Sequence, residues 1–298
     1  MQRAHDALHR SISTAIRAYA AGDAFGVHYE FKEIKGVTSE LLTLEGWPFG
    51  GVSDDTSLSL LTLATLNQKS TAKSSENFLH KLKEAAPTLR GLGPTTRHAL
   101  GMSVKETEVH LIGKSNGAMM RTALSGLAFT VEDSDQRREF VDSLARATHS
   151  SDEAILAAQI AAALMSHAID DTSTINTSEI IESELKNFTL SKECSEKFSG
   201  RGKWSPPSTG ISLDPIETLF AFTLVADRNQ KVLDAFVDAC SLGGDTDTVS
   251  ALAGALVAAR NPETSEFESI PWLDQIGWDE ISEIGEIIDL VYEKRNAR

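Results

Sequence analysis

Apolar positions in this chain recur every three to four residues, the period of an α-helix. Leu8, Ile12, Ala15, Ile16 and Tyr19 share one helical face, and Leu60, Leu61 and Ala64 repeat the pattern after Asp55. Ala154 to Met165 is alanine-rich, with Ile155, Leu156, Ile160 and Leu164 among the alanines. The stretches Leu219 to Leu242 and Val249 to Ala259 read as two successive buried helices. A long polar/apolar alternation, the mark of a half-buried strand, is missing. The predicted fold class is all-α.

Breaks fall where Gly, Pro and Ser gather: Trp47 to Gly51, Gly91 to Pro94, and Ser199 to Pro207. The last predicts an excursion loop, and the Thr/Ser-rich stretch Asp170 to Ser183 predicts another. Helical patterns of one kind continue on both sides of each, and no repeat of about 20–50 residues is present. Residues 1–298 are therefore expected to form a single domain. Near the C-terminus, Trp272 and Trp278 are expected to anchor an amphipathic helix around Ile281, Ile284, Ile288 and Val291.

Composition narrows the possible partners. The 298 residues carry 28 Lys+Arg against 43 Asp+Glu, a formal charge of −15, with 41% apolar content. That content suits a globular protein with a sizeable core. The acidity argues against a nucleic-acid groove and against anionic membranes, since both need clustered cations. Two cysteines, Cys194 and Cys240, form neither a disulfide framework nor a zinc motif. The first twenty residues do not read as a signal peptide, and no apolar run reaches membrane length. The expected setting is a reducing cytoplasm.

Two acidic clusters carry the candidate chemistry. Ser53-Asp54-Asp55-Thr56 follows a glycine pair and precedes a helical pattern; Gly243-Gly244-Asp245-Thr246-Asp247-Thr248 repeats the arrangement. Helix capping explains one acid at each place. Two adjacent or near-adjacent acids repel unless a cation intervenes. Carboxylate and hydroxyl oxygens suit hard ions such as Mg²⁺, Mn²⁺ or Ca²⁺. Three further segments stand out: Gly22 to Glu30, whose glycines permit close backbone approach or a tight turn; Ser115 to Arg121, an Asn-Gly loop before a helix; and Thr148-His149-Ser150.

In this order the motifs GDAFGVHYE, SDDT, SNGAMMR, THS and GGDTDT resemble the ADP-ribosylglycohydrolase family. That family includes dinitrogenase-reductase-activating glycohydrolases and ADP-ribosylarginine and ADP-ribosylserine hydrolases, and the resemblance runs to about Arg260. It implies an all-α domain with two Mg²⁺ ions, or Mn²⁺, at the floor of a cleft. The implied ligands are Ser53, Asp54, Asp55, Asp245, Asp247 and Thr248. Ser115, Asn116, Gly117 and Met120 would wrap the pyrophosphate of ADP-ribose, and His149 would line the pocket. The implied partner is an ADP-ribosylated protein or a small adduct.

Hydrolysis of that glycosidic bond develops oxocarbenium character, which carboxylates stabilise. By the same resemblance, catalytic roles would fall to Glu30, Asp54 and Asp55, with either Glu30 or a cluster acid such as Asp54 as general acid or base. Arginine-directed bacterial members carry an aspartate in the loop that here contains Arg90. The acceptor therefore stays open among Arg, Ser and adducts such as O-acetyl-ADP-ribose. Two other readings compete: an inactive ADP-ribose-binding member, and a Mg²⁺-dependent phosphohydrolase with Asp245 as nucleophile, which requires that residue to end a strand.

Overall fold

Helix starts follow the capping chemistry of the sequence. Ser53, Ser70, Asn176, Ser191 and Asp214 each accept a hydrogen bond from an N–H of the first turn they precede. The structure, a computed structural model, describes residues 2–170 and 176–297. In chain order the α-helices are α1 (Gln2–Gly26), α2 (Asp54–Leu63), α3 (Thr71–Ala85), α4 (Pro94–Ala99), α5 (Gly117–Thr122), α6 (Ser134–Arg146) and α7 (Asp152–Asp170). They continue as α8 (Thr177–Leu185), α9 (Lys192–Gly200), α10 (Pro215–Arg228), α11 (Val232–Leu242), α12 (Thr246–Arg260) and α13 (Ile284–Asn296). Among the described residues there is no strand, only an isolated bridge between Ile211 and Gly244. The fold is all-α.

Two helices, α7 and α12, lie inside the others. Residues Thr246 to Ala259 of α12 are all buried, which explains a run with no polar face. Helix α1 packs closely along α12, and α10 and α11 flank it. Gly22 and Gly26 make the close approach possible. A Cβ on Gly22 would lie 2.7 Å from Ser250 O, and one on Gly26 would lie 2.4 Å from Asp247 Cα. Of the two uses expected for these glycines, close approach is the one realised, inside α1 and not at a turn. Trp272 stacks on Phe25 with centroids 5.4 Å apart and donates from Nε1 to Ser39 O.

Several expectations change. The single helix expected from Leu219 to Leu242 is two, α10 and α11, separated at Asn229 to Lys231. Asn229 ends α10 in extended backbone, and its side chain donates to Val225 O and Asp238. The loop expected over Asp170 to Ser183 contains the first part of α8; residues 171–175 lie outside the described residues. Ser199 and Gly200 complete α9, and Arg201–Lys203 form a 3₁₀ turn. Trp204 then packs edge-on against Phe220, 5.7 Å between centroids, away from the acidic clusters. The C-terminal helix begins at Ile284, and Ile281 sits in the 3₁₀ turn before it.

Candidate active site

Three helix ends meet at one cleft because long-range hydrogen bonds tie them together. Asp23, buried near the end of α1, accepts from the backbone N–H of Ser53 at 3.0 Å and of Thr56 at 3.0 Å. It also accepts from the Thr56 hydroxyl at 2.6 Å. The Thr246 hydroxyl donates to Gly26 O at 2.9 Å, and Phe31 N–H donates to Gly244 O at 2.8 Å. Gly243 and Gly244 adopt φ of +71° and +78°, and a Cβ on Gly244 would collide with Ile211 O at 2.0 Å. This turn aims the start of α12 at the start of α2. Asn116 Nδ2 donates to Asp245 Oδ2 at 2.5 Å and to the Thr218 hydroxyl at 2.9 Å, joining the loop before α5 to the same centre.

The resulting cleft has a volume of about 710 Å³. Its floor carries Glu30, Asp54, Asp55, Asp245, Asp247 and Thr248; its wall includes Ser115, Asn116, Gly117 and Met120. The expected residues thus come together from four segments of sequence, with two exceptions. Ser53 does not line the cleft: its hydroxyl accepts from Asp55 N–H at 3.0 Å and lies 3.4 Å from Asp55 Oδ2. His149 does not line it either. Its Nε2 lies 3.2 Å behind the Ser115 hydroxyl, so the smaller residue forms the surface.

Burying this many carboxylates shifts their protonation upward. Desolvation, then the charges of Asp245 and Asp23, raise Glu30 to about 7. Desolvation, then Asp23 and Glu30, raise Asp54 to about 8. Asp245 rises to about 6 through burial, with the Asn116 hydrogen bond opposing it. Burial first, then neighbouring acids, also pushes Asp55 and Asp247 up.

The donor set fits a hard divalent cation. Carboxylate oxygens of Glu30, Asp245 and Asp247 lie within 4.8 Å of one another. Buried Asp55 Oδ1 has no hydrogen-bond partner. An oxygen-only cluster with an orphaned buried acceptor is what such an ion would complete. Asp54 and Asp55 lie outside that three-carboxylate group, although Asp54 feels the charge of Glu30 and Asp55 that of Asp245.

Asp23 belongs to the Gly22 to Glu30 segment, and spacing alone assigns it no role there. The available signal is an acid one turn before a helix end, ahead of a capping Ser. Arg90 also has a defined place. Its guanidinium donates to Val52 O at 3.0 Å and to Glu280 at 2.5 Å and lies 5.3 Å from the Trp47 ring, outside the cleft. Asp245 follows a glycine turn and a single bridge and opens a helix; no strand among the described residues carries it, so the setting of an aspartyl-phosphate nucleophile is missing.

No curated protein matches the chain at a significant level. A solved structure described as "ADP-ribosylglycohydrolase-related protein complex" is similar to it, with a TM-score of 0.71 and 25% identity over 97% of this chain and 99% of that one. The sequence model of the ADP-ribosylglycohydrolase family matches residues 4–298, extending past Arg260 through α13. The chain belongs to the ADP-ribosylglycohydrolase family.

Proposed function

We propose that residues 1–298 act as one ADP-ribosylglycohydrolase domain, a metal-dependent hydrolase that cleaves the bond between the distal ribose of ADP-ribose and an acceptor. The acceptor is an Arg or Ser side chain or a small adduct. The reading places the enzyme in a reducing cytoplasm, in keeping with Cys194 and Cys240, each buried and unpaired. The observation that carries it is the group formed by Glu30, Asp245 and Asp247 inside a cleft that also holds Asp54, Asp55 and Thr248.

Asp245, Asp247 and Thr248 would hold one Mg²⁺ and Asp54 and Asp55 a second, with Mn²⁺ as a substitute and Ser53 steadying Asp55 from behind. When bound, such ions supply positive charge that neutralises the cluster and orients ribose hydroxyls. The chain's own residues supply the rest. The acidic floor stabilises positive charge developing at the anomeric carbon. Glu30, the partly exposed member, can exchange a proton with solvent and give it to the leaving group or take it from attacking water. Asn116 fixes Asp245 through the 2.5 Å hydrogen bond, and Gly117 and Met120 shape the wall against which ADP-ribose lies.

The test is a turnover assay with arginine-, serine- and O-acetyl-linked ADP-ribose in Mg²⁺, in Mn²⁺ and in excess EDTA. Turnover of at least one substrate, lost in EDTA and in Asp55→Ala or Asp247→Ala with helix content retained, is the expected result. Full activity in EDTA would sink the metal-assisted reading. Binding of ADP-ribose without any turnover would support the non-catalytic reading instead.

A further inference from the structure

The turn that follows α1 puts two consecutive side chains, Glu30 and Phe31, on the same cleft. At Phe31 the backbone φ is +48°, held there by the N–H that donates to Gly244 O at 2.8 Å. Gly, Asn and Asp take a positive φ readily, whereas a bulky side chain does so only at a cost in free energy. Packing does not compensate that cost, because Phe31 is 57% exposed.

Among the described residues, large apolar side chains are well exposed at four places: Phe31, Phe49, Met102 and Val109. Phe31 and Met102 line the cleft, and Val109 follows the cleft residue Glu108. The cleft therefore divides by chemistry, with carboxylates and a hydroxyl at its floor and bare apolar groups at its mouth. Exposed apolar groups gathered at a binding cleft mark a surface that a partner covers.

The partner follows from the neighbour of Phe31. Under the hydrolase reading, on which this inference rests, Glu30 serves the leaving group or the attacking water, and in either role its carboxylate reaches the reacting carbon. The next residue along the chain thus faces the reacting end of the ligand, beyond which lies the acceptor. An acetyl ester ends near the floor. A polypeptide acceptor continues out through the mouth and can cover a ring that is more than half exposed.

We infer that Phe31 is a specificity-determining residue, a ledge at the cleft mouth on which the residues flanking the modified side chain of a polypeptide acceptor lie. The ring favours a polypeptide acceptor over a single amino acid that carries ADP-ribose through the same bond. The strained backbone at Phe31 is retained for that contact.

The test compares two substrates with one linkage, arginine or serine, whichever wild type turns over: an ADP-ribosylated peptide and the corresponding ADP-ribosylated free amino acid. Wild type, Phe31→Asn and Phe31→Tyr are assayed with Mg²⁺. Asn tolerates a positive φ and removes the ring, and Tyr keeps the ring. Phe31→Asn should melt no lower than wild type and should reduce the kcat/KM preference for the peptide about five- to tenfold, with Phe31→Tyr matching wild type. An unchanged preference overturns the inference. So do equal losses on both substrates, which would mean that Phe31 places Glu30 and not the acceptor. A Kd for free ADP-ribose weakened as far as the peptide kcat/KM would set the ring against the nucleotide, and a lower Tm in Phe31→Asn would make it a packing element; either result also overturns it. If wild type turns over O-acetyl-ADP-ribose but neither amino-acid linkage, this inference falls and the hydrolase reading stands. If wild type turns over none of them, the hydrolase reading itself falls and takes the inference with it.

Discussion

Asp23 accepts a 2.6 Å hydrogen bond from the Thr56 hydroxyl across 33 residues of sequence, and in doing so ties the end of α1 to the first turn of α2. The same carboxylate takes the N–H groups of Ser53 and Thr56, so it caps α2 from outside the helix. Asp54 and Asp55 lie between these two anchors. Asp23→Ala leaves buried donors unpaired and should lower stability by about 2 kcal/mol. Turnover should fall further than stability, because both cluster acids lose their reference point. Asp23→Asn keeps one acceptor oxygen and should recover part of each. Thermal unfolding and kcat measured side by side check this; wild-type kcat in Asp23→Ala would refute it.

Gly26 is the point where α1 touches Asp247, with room for no Cβ: the nearest atom would be 2.4 Å away and belongs to backbone. Gly26→Ala must therefore push α1 from α12 and move a cluster carboxylate. The expected loss is about 3 kcal/mol, with Mg²⁺ affinity reduced in whatever fraction folds. Gly285→Ala is the control. That glycine lies exposed in α13, and a Cβ there would have nothing within 4 Å, so alanine should raise stability by up to about 1 kcal/mol. Denaturant midpoints of the two variants should move in opposite directions.

How much of this was legible in the sequence differs from residue to residue. The acids at Asp54, Asp55, Asp245 and Asp247 were legible because adjacent carboxylates beside glycine and hydroxyl residues ask for an explanation that capping alone does not give. Their meeting was legible only through the order of the motifs, since nothing local joins Asp55 to Asp247. The role of Asp23 was hidden: its partners lie some thirty residues away and are mostly backbone groups, and a buried acid in a helical run looks like any solvated one. The division between α10 and α11 was hidden too, because the polar break at Asn229 to Lys231 fits within one helical turn of a continuing apolar pattern. For His149 the motif points to the pocket, and a one-residue interposition by Ser115 lies beyond what spacing can show.

Arg90 occupies the loop in which an acid would favour a guanidinium leaving group, but its side chain leaves the cleft for Val52 O, Glu280 and the Trp47 ring. Arg90→Asp should therefore confer no gain on arginine-linked substrates. It should place a carboxylate against Glu280 and lower stability by about 1 kcal/mol, since the lost ion pair is only partly buried. A ratio of kcat/KM values for arginine- and serine-linked substrates that shifts toward arginine would contradict this orientation.

The raised carboxylates make a prediction about pH. Glu30 at about 7, Asp54 at about 8 and Asp245 at about 6 all hold protons more tightly in the folded chain than an ordinary carboxylate does when unfolded. Between the ordinary range and those values the folded state binds more protons than the unfolded one. Stability of EDTA-treated protein therefore falls as pH rises from about 5 to about 8, the reverse of what salt-bridged acids give. A divalent cation competes for the same oxygens and favours their ionised form. Added Mg²⁺ should raise Tm little at the acid end and progressively more toward the alkaline end, flattening the profile. Glu30→Gln removes one of the titrating groups and should lessen the slope in EDTA. A Tm in EDTA that is level or climbs across this window would show that the cluster is ionised and compensated by other means, and would remove the electrostatic case for the cation.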